Sequence, residues 1–232
     1  MSQLNKDKLI KDLEDTVQKF FDRIHDIPFY IAMKALTGHE VVPFDPVNDK
    51  QDRELLEDLK KAAHQAGVKA NKDCIYRPRP NEVGNDMEPY VRQALRDLGL
   101  DADIPVTKAG KKKAMGYPDI YLEDRYGRPT YLEVKTYNIE NIESTQRSFY
   151  FSPPPDKGEL KITVDARHLV MSFQVETREQ RRRGNENCYV PVKWGIYSIY
   201  DMKVDVKHEF QSSNRNLYRK EALLAEGAIP DL

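Results

Sequence analysis

Asp119, Glu133 and Lys135 are the residues of this chain whose types and spacing point most directly to chemistry. They lie in the run Tyr117-Pro118-Asp119-Ile120-Tyr121-Leu122-Glu123-Asp124-Arg125-Tyr126-Gly127-Arg128-Pro129-Thr130-Tyr131-Leu132-Glu133-Val134-Lys135. Two carboxylates brought close together repel when both are ionised, and a divalent cation removes that conflict. Mg2+ suits a site with few hard oxygen ligands, because it keeps waters of its own and leaves room for a phosphate. A lysine beside such a centre can hold a water or hydroxide and offset charge on a phosphorane-like transition state. Together the three predict metal-assisted phosphodiester hydrolysis. The structural alternative is a cross-strand salt bridge on a solvated sheet face.

Whether the three side chains meet depends on the turn between them. Asp119–Glu123 and Tyr131–Tyr137 alternate and are rich in β-branched and aromatic residues, which predicts two strands. In the second strand, Tyr131, Glu133 and Lys135 share one face, and Leu132, Val134 and Thr136 share the other. Arg125-Tyr126-Gly127 fits a three-residue hairpin loop with glycine in the left-handed position. Asp124 then opposes Arg128, and counting back places Asp119 opposite Glu133. Such partners share a face, with Cβ atoms roughly 4.5–5.5 Å apart. A two-residue loop would slip the register by one and turn Asp119 to the opposite face. Pro118 predicts an extended approach to Asp119.

The rest of the chain supplies the frame. Leu9, Leu13, Val17, Phe20 and Ile24 recur at three or four residues, predicting an amphipathic helix whose stripe is core. Phe29–Leu36 predicts a short helix ending at Gly38, and Asp49–Ala66 a longer one stopping at Gly67. Residues 68–82, with Arg77-Pro78-Arg79-Pro80, predict a loop. A helix over Met87–Leu98 follows, with Asp86 as N-cap and Gly99 as stop. Beyond the catalytic hairpin come a proline-rich turn over Ser152–Gly158 and strands over His168–Glu176, Cys188–Tyr200 and Val204–Phe210. Asn216–Glu226 predicts a closing helix. Helices first and a mostly antiparallel or mixed sheet afterwards predict one α/β domain.

Pro118-Asp119, thirteen intervening residues and Glu133-Val134-Lys135 resemble the signature of the PD-(D/E)xK nucleases. Upstream, Asn81-Glu82-Val83-Gly84-Asn85-Asp86-Met87-Glu88 resembles the segment that supplies a further acidic residue in many type II restriction endonucleases. Arg147–Ser152, Lys161–Thr163, His168–Val170 and Glu209–Tyr218 resemble that group as well. The resemblance implies a central mixed β-sheet flanked by helices. It further implies one nuclease domain over residues 1–232, with a helical N-terminal region at 1–70 suited to dimerisation and a catalytic core at 80–220. By position, Asp119, Glu133 and the Val134 carbonyl would ligate Mg2+, and Lys135 would orient or activate the attacking water. Glu88 would either reach a second metal through water or simply sit near the positive end of its helix. Mn2+ is expected to substitute, and Ca2+ to bind without supporting cleavage. The implied activity is cleavage of double-stranded DNA at a specific, palindromic sequence by a homodimer, since two strands call for two active sites. The alternatives are a repair or structure-specific nuclease of the same fold and a catalytically inactive DNA-binding module.

DNA contacts are expected from two kinds of residue. Lys108, Lys111, Lys112 and Lys113 run into the catalytic hairpin and could meet phosphates. Arg178, Arg181, Arg182 and Arg183 are either a DNA-facing hairpin tip or an ordinary charged turn. Gln146, Arg147, Gln211, Ser212, Ser213, Asn214, Arg215 and Asn216 are the base-reading candidates, since amides suit adenine and arginine suits guanine. His168 reads as a satisfied core histidine. Trp194, among Tyr189, Tyr197 and Tyr200, reads as strand core or dimer interface.

The composition agrees with this reading and excludes others. The 232 residues carry 37 Lys+Arg against 38 Asp+Glu, which fits neither a disordered tail nor a basic coat protein. Two cysteines, Cys74 and Cys188, exclude a disulfide scaffold and lack zinc-ligand spacing. No phosphate-binding glycine loop predicts a nucleotide cofactor. No apolar run approaches the roughly 20 residues of a membrane span, and the charged N-terminus lacks a signal-peptide core. A cytoplasmic protein is expected, in a prokaryotic cell if the resemblance holds.

Overall fold

The structure is a computed structural model that describes residues 3–21, 25–79, 82–138, 149, 151–152 and 156–206. Its contacts divide the chain into one unit of Met1–Asp26 with Asp205–Leu232 and a second of Ile27–Val204. In the first unit the predicted periodicity does form a helix, α1 (Gln3–Phe21). Its stripe is not core, however. Leu9, Leu13 and Val17 stand 55%, 56% and 38% exposed. Periodicity sets which residues share a face but not whether anything covers that face.

The second unit comprises β1 (Ile27–Pro28), α2 (Phe29–Thr37), α3 (Lys50–Asp73), β2 (Ile75–Arg77), α4 (Val83–Asp97), β3 (Asp101–Asp103), β4 (Ile120–Glu123), β5 (Pro129–Tyr137), β6 (Arg167–Arg183), β7 (Glu186–Ser198) and β8 (Lys203–Val204). Six strands form one mixed sheet in the order β2-β7-β6-β5-β4-β3. Every pairing is antiparallel except β5 with β6, which run parallel. β1 and β8 form a separate antiparallel pair. The expected α/β class and mixed central sheet are therefore present.

Several boundaries differ from the expectation. α3 runs through Gly67 to Asp73. A Cβ at Gly67 would stand 3.6 Å from the Phe173 ring, so here glycine permits the helix to approach the sheet rather than ending it. The segment read as a loop contains β2, which adds to the sheet edge beside β7. A Cys74–Cys188 disulfide, with Cα atoms 5.7 Å apart, closes that corner. α4 begins four residues early, at Val83. Glu82 occupies the N-cap position, and Asp86 instead pairs with Arg77 through two 2.6 Å bonds. β3 was not expected at all, since Asp-Ala-Asp carries no strand signal. The arginine-rich connection is strand too, because β6 continues through Arg183 and turns at Gly184. The strand placed at Val204–Phe210 is seen only as β8, and its remainder from 207, with the closing helix, lies outside the described residues.

The sheet is covered on both faces. Leu132, Val134, Met171 and Phe173 pack with Leu55, Leu59, Met87, Val91 and Leu95 from α3 and α4. On the opposite face Tyr131 and Val170 pack with Phe29 and Met33 of α2. Phe29, fully buried, meets Tyr117, Phe149 and Phe151 edge-on. Among the described residues no helix is long and apolar enough to cross a membrane.

Candidate active site on the β4–β5 hairpin

The hairpin folds in the register counted from its sequence. Ile120 pairs with Leu132, Tyr121 with Tyr131, Leu122 with Thr130 and Glu123 with Pro129. One step further along the same ladder sets Asp119 across from Glu133. The Gly127 N–H donates to the Asp124 carbonyl at 2.8 Å, and Gly127 has φ 69°. That conformation favours glycine and completes the three-residue loop. The Tyr117–Pro118 bond is cis, which replaces the simple extended approach expected there.

The turn is clamped from outside the hairpin. Asp124 accepts from the backbone N–H of Tyr126 and of Arg128 at 2.8 and 3.0 Å, and from Arg128 Nε at 2.7 Å. Arg128 Nη1 reaches Asp52 at 3.1 Å, and Asp52 accepts from Arg167 Nε at 2.7 Å. Asp52 sits in the first turn of α3, where the Asp49 cap receives its N–H at 2.9 Å. A buried ion network thus ties the turn to the start of α3 and the start of β6.

At the other end of the hairpin the three predicted side chains come together. The Val134 N–H donates to Asp119 Oδ2 at 2.8 Å. Lys135 Nζ donates to Glu133 Oε1 at 2.5 Å. The Glu133 side chain is 4% exposed, and its Oε2 is buried with no hydrogen-bond partner. Burial first, then the charge of Asp119, pushes Glu133 up to about 7, with Lys135 opposing. Asp119 is also pushed up by burial, against the Val134 N–H and Lys135. An orphaned buried carboxylate oxygen beside a second strained carboxylate is the donor set that a hard cation would satisfy. Asp119 and Glu133 could hold such an ion with waters. Among the described residues no three His, Cys, Asp or Glu side chains gather into a self-sufficient cage.

Glu88 lies on α4 with its carboxylate 3.9 Å from Arg92 Nη1. Burial and then Asp119 push it up to about 7, which places it within electrostatic reach of the pair. It is the sixth residue of α4, beyond the first turn, so the helix-end explanation no longer accounts for it. Sequence reasoning missed Lys161. It is 5% exposed, and its ammonium donates to the carbonyls of Gly116 and of Ala114, the latter at 3.3 Å. Burial lowers it to about 8, resisted by Asp119, Glu133 and Glu88 in that order. The only signal in the sequence was a lysine flanked by Leu160 and Ile162, which is common in ordinary strands.

His168 is a core residue. Its Nδ1 meets the Tyr117 hydroxyl at 2.5 Å, and burial lowers it to about 3, so it stays neutral. Tyr189 is buried and Trp194 is partly buried against the same core, whereas Tyr197 stands exposed. Of the expected phosphate contacts, Lys112 pairs with Asp103, Lys113 pairs with Glu159 at 2.6 Å, and Lys111 is exposed. Arg178, Arg181, Arg182 and Arg183 line the exposed end of β6, with Arg183 4.0 Å above the Tyr76 ring. Gln146, Arg147, Gln211, Ser212, Ser213, Asn214, Arg215 and Asn216 lie outside the described residues.

Comparison with known proteins gives two positive results. A model of the type II restriction enzyme MjaV family matches residues 8–221. The type II restriction enzyme MjaV of Methanocaldococcus jannaschii is 36% identical over 229 residues, covering 93% of this chain and 95% of the relative. No solved structure matches.

Proposed function

The chain belongs to the type II restriction enzyme MjaV family, and from that premise we propose that Asp119, Glu133 and Lys135 form the active site with which it cuts double-stranded DNA at a specific sequence. Family membership makes the chain a site-specific DNA endonuclease. The observation that carries the residue assignment is the buried, unpartnered Glu133 Oε2 beside Asp119, with Lys135 on the same face.

Mg2+ is the proposed cation, held by Asp119, Glu133 and the Val134 carbonyl. When bound, it supplies Lewis-acid activation of water and charge neutralisation at the phosphate. The chain's own residues do the rest. Asp119 is aimed by the Val134 N–H, so its second oxygen is the one presented to a ligand. Lys135 Nζ, which otherwise donates to Glu133 Oε1, is positioned to orient the attacking water. As that water bonds to phosphorus and loses its proton, the ester P–O bond breaks. The ammonium offsets the charge that develops.

A homodimer is proposed because two strands require two such sites. The exposed stripe of Leu9, Leu13 and Val17 on α1 offers an apolar face for it. Sedimentation showing a monomer both with and without DNA would remove this part of the proposal. The central test is plasmid incubation in Mg2+ or EDTA. Discrete fragments, lost in EDTA and in Lys135→Ala, are expected. Nicking confined to branched substrates would favour a repair nuclease. Specific binding without cleavage in any divalent metal would favour an inactive module.

A further inference from the structure

Building on the proposed active site, we infer that Lys161 is a fixed positive charge standing in for a second metal ion, so that each site takes a single divalent cation. Lys161 comes from the segment before β6, not from the motif. It is nevertheless almost completely buried, with its ammonium held by two backbone carbonyls of the Ala114–Gly116 loop. That loop leads directly into Asp119. A buried ammonium is costly unless neighbouring charges compensate it, and the carboxylates within its reach are those of Asp119, Glu133 and Glu88.

The charges around the site then balance. Asp119, Glu133 and Glu88 face Lys135, Lys161 and Arg92, three acids against three bases. The nearby Lys113 is matched by Glu159 and adds nothing. One divalent cation brings this neutral set to two positive charges, which equal a phosphodiester plus an attacking hydroxide. A second divalent ion would leave two positive charges uncompensated in a largely dry site. The arrangement of ligands agrees. Glu88, the acid a second ion would need, is engaged by Arg92 and does not close a cage with Asp119 and Glu133. Lys161 is therefore a positioning residue that acts on the carboxylates, with no contact to the reacting phosphate required.

The test counts ions on the full-length protein without relying on cleavage. Mn2+ titration followed by the EPR signal of the unbound ion should give one tightly held ion per wild-type chain. Lys161→Met removes the charge and keeps the stem, and it should bind Mn2+ about tenfold more tightly or better, with a second ion now held. If Lys161 merely propped up the loop, its loss would weaken Mn2+ binding. Unchanged or weaker binding in a folded Lys161→Met protein overturns the inference. Two ions of similar affinity on the wild type overturn it without any variant, so a Lys161→Met protein that fails to fold leaves the test intact. Wild-type protein that cleaves DNA while holding two ions per chain sinks only this inference, whereas protein that binds no divalent metal sinks the active-site assignment as well.

Discussion

Glu133→Gln should make the metal-free protein more stable, by an amount that grows with pH. Glu133 is 4% exposed and is pushed from its usual 4.5 to about 7 by burial and by Asp119. The folded protein therefore holds this proton more tightly than the unfolded chain does. The stability it contributes is fully present below about pH 4.5 and is lost as pH rises through about 7. A displacement of that size corresponds to about 3 kcal/mol at pH 8. Glutamine keeps the shape and can still accept from Lys135 but cannot ionise, so the variant escapes that penalty. Urea denaturation in EDTA across pH 4.5–8.5 would measure the difference. The two proteins should be nearly equal at the acid end and separate toward about 3 kcal/mol at the basic end. Saturating Ca2+ should reverse the order, because a ligand that binds only the folded state stabilises it and the variant has lost a charged ligand. Parallel pH profiles in EDTA, or equal stabilisation by Ca2+, would refute the argument that Glu133 is a strained carboxylate awaiting a cation.

Lys135→Ala should reduce Mg2+-dependent plasmid cleavage by at least about a hundredfold while leaving DNA binding in Ca2+ largely intact, as measured by gel shift. Asp52→Ala should cost about 3–5 kcal/mol in urea denaturation, because it leaves the buried Arg167 without its partner and frees Arg128 from α3. Reducing the Cys74–Cys188 bond, which spans 114 residues, should lower stability by about 4–5 kcal/mol, read as a fall in the denaturation midpoint when a reductant is added.

The catalytic hairpin was legible because its information is local. Strand alternation, a glycine in the left-handed position and a loop of countable length decide which side chains share a face, and all of that lies between Pro118 and Lys135. The resemblance to nucleases drew on the same residues. What could not be read was what reaches the hairpin from afar. Lys161 approaches the carboxylates from 26 residues beyond Lys135, and no periodicity links the two. Asp52 and Arg167 are 115 positions apart and meet only because α3 and β6 begin side by side. Gly67 was misread for a related reason. A glycine that ends a helix and one that lets a helix lie close to Phe173 look the same in sequence. β2 and β3, three residues each, are held by the strands they border rather than by their own propensity. The apolar stripe of α1 carries the converse lesson, since a pattern can be read correctly while its burial is not.

The buried network at the turn and the carboxylates at the open end of the hairpin have opposite electrostatic designs, and the contrast has a physical rationale. Around Asp52 and Asp124, each carboxylate is met by guanidinium or backbone donors, and the arrangement fixes one loop length. Fixing loop length fixes register, and a slip of one residue would carry Asp119 to the face occupied by Val134 and Met171. Around Glu133 one oxygen is left unmet, and the pKa of each neighbouring acid is raised. A site that satisfied its own charges as completely as the turn does would have no affinity left for a cation. The hairpin can tolerate the unsatisfied end because the satisfied end, together with the apolar face packed on α4, holds the ladder in place. The strain at Glu133 is then available as binding energy for an ion, instead of being relieved by the strands moving apart.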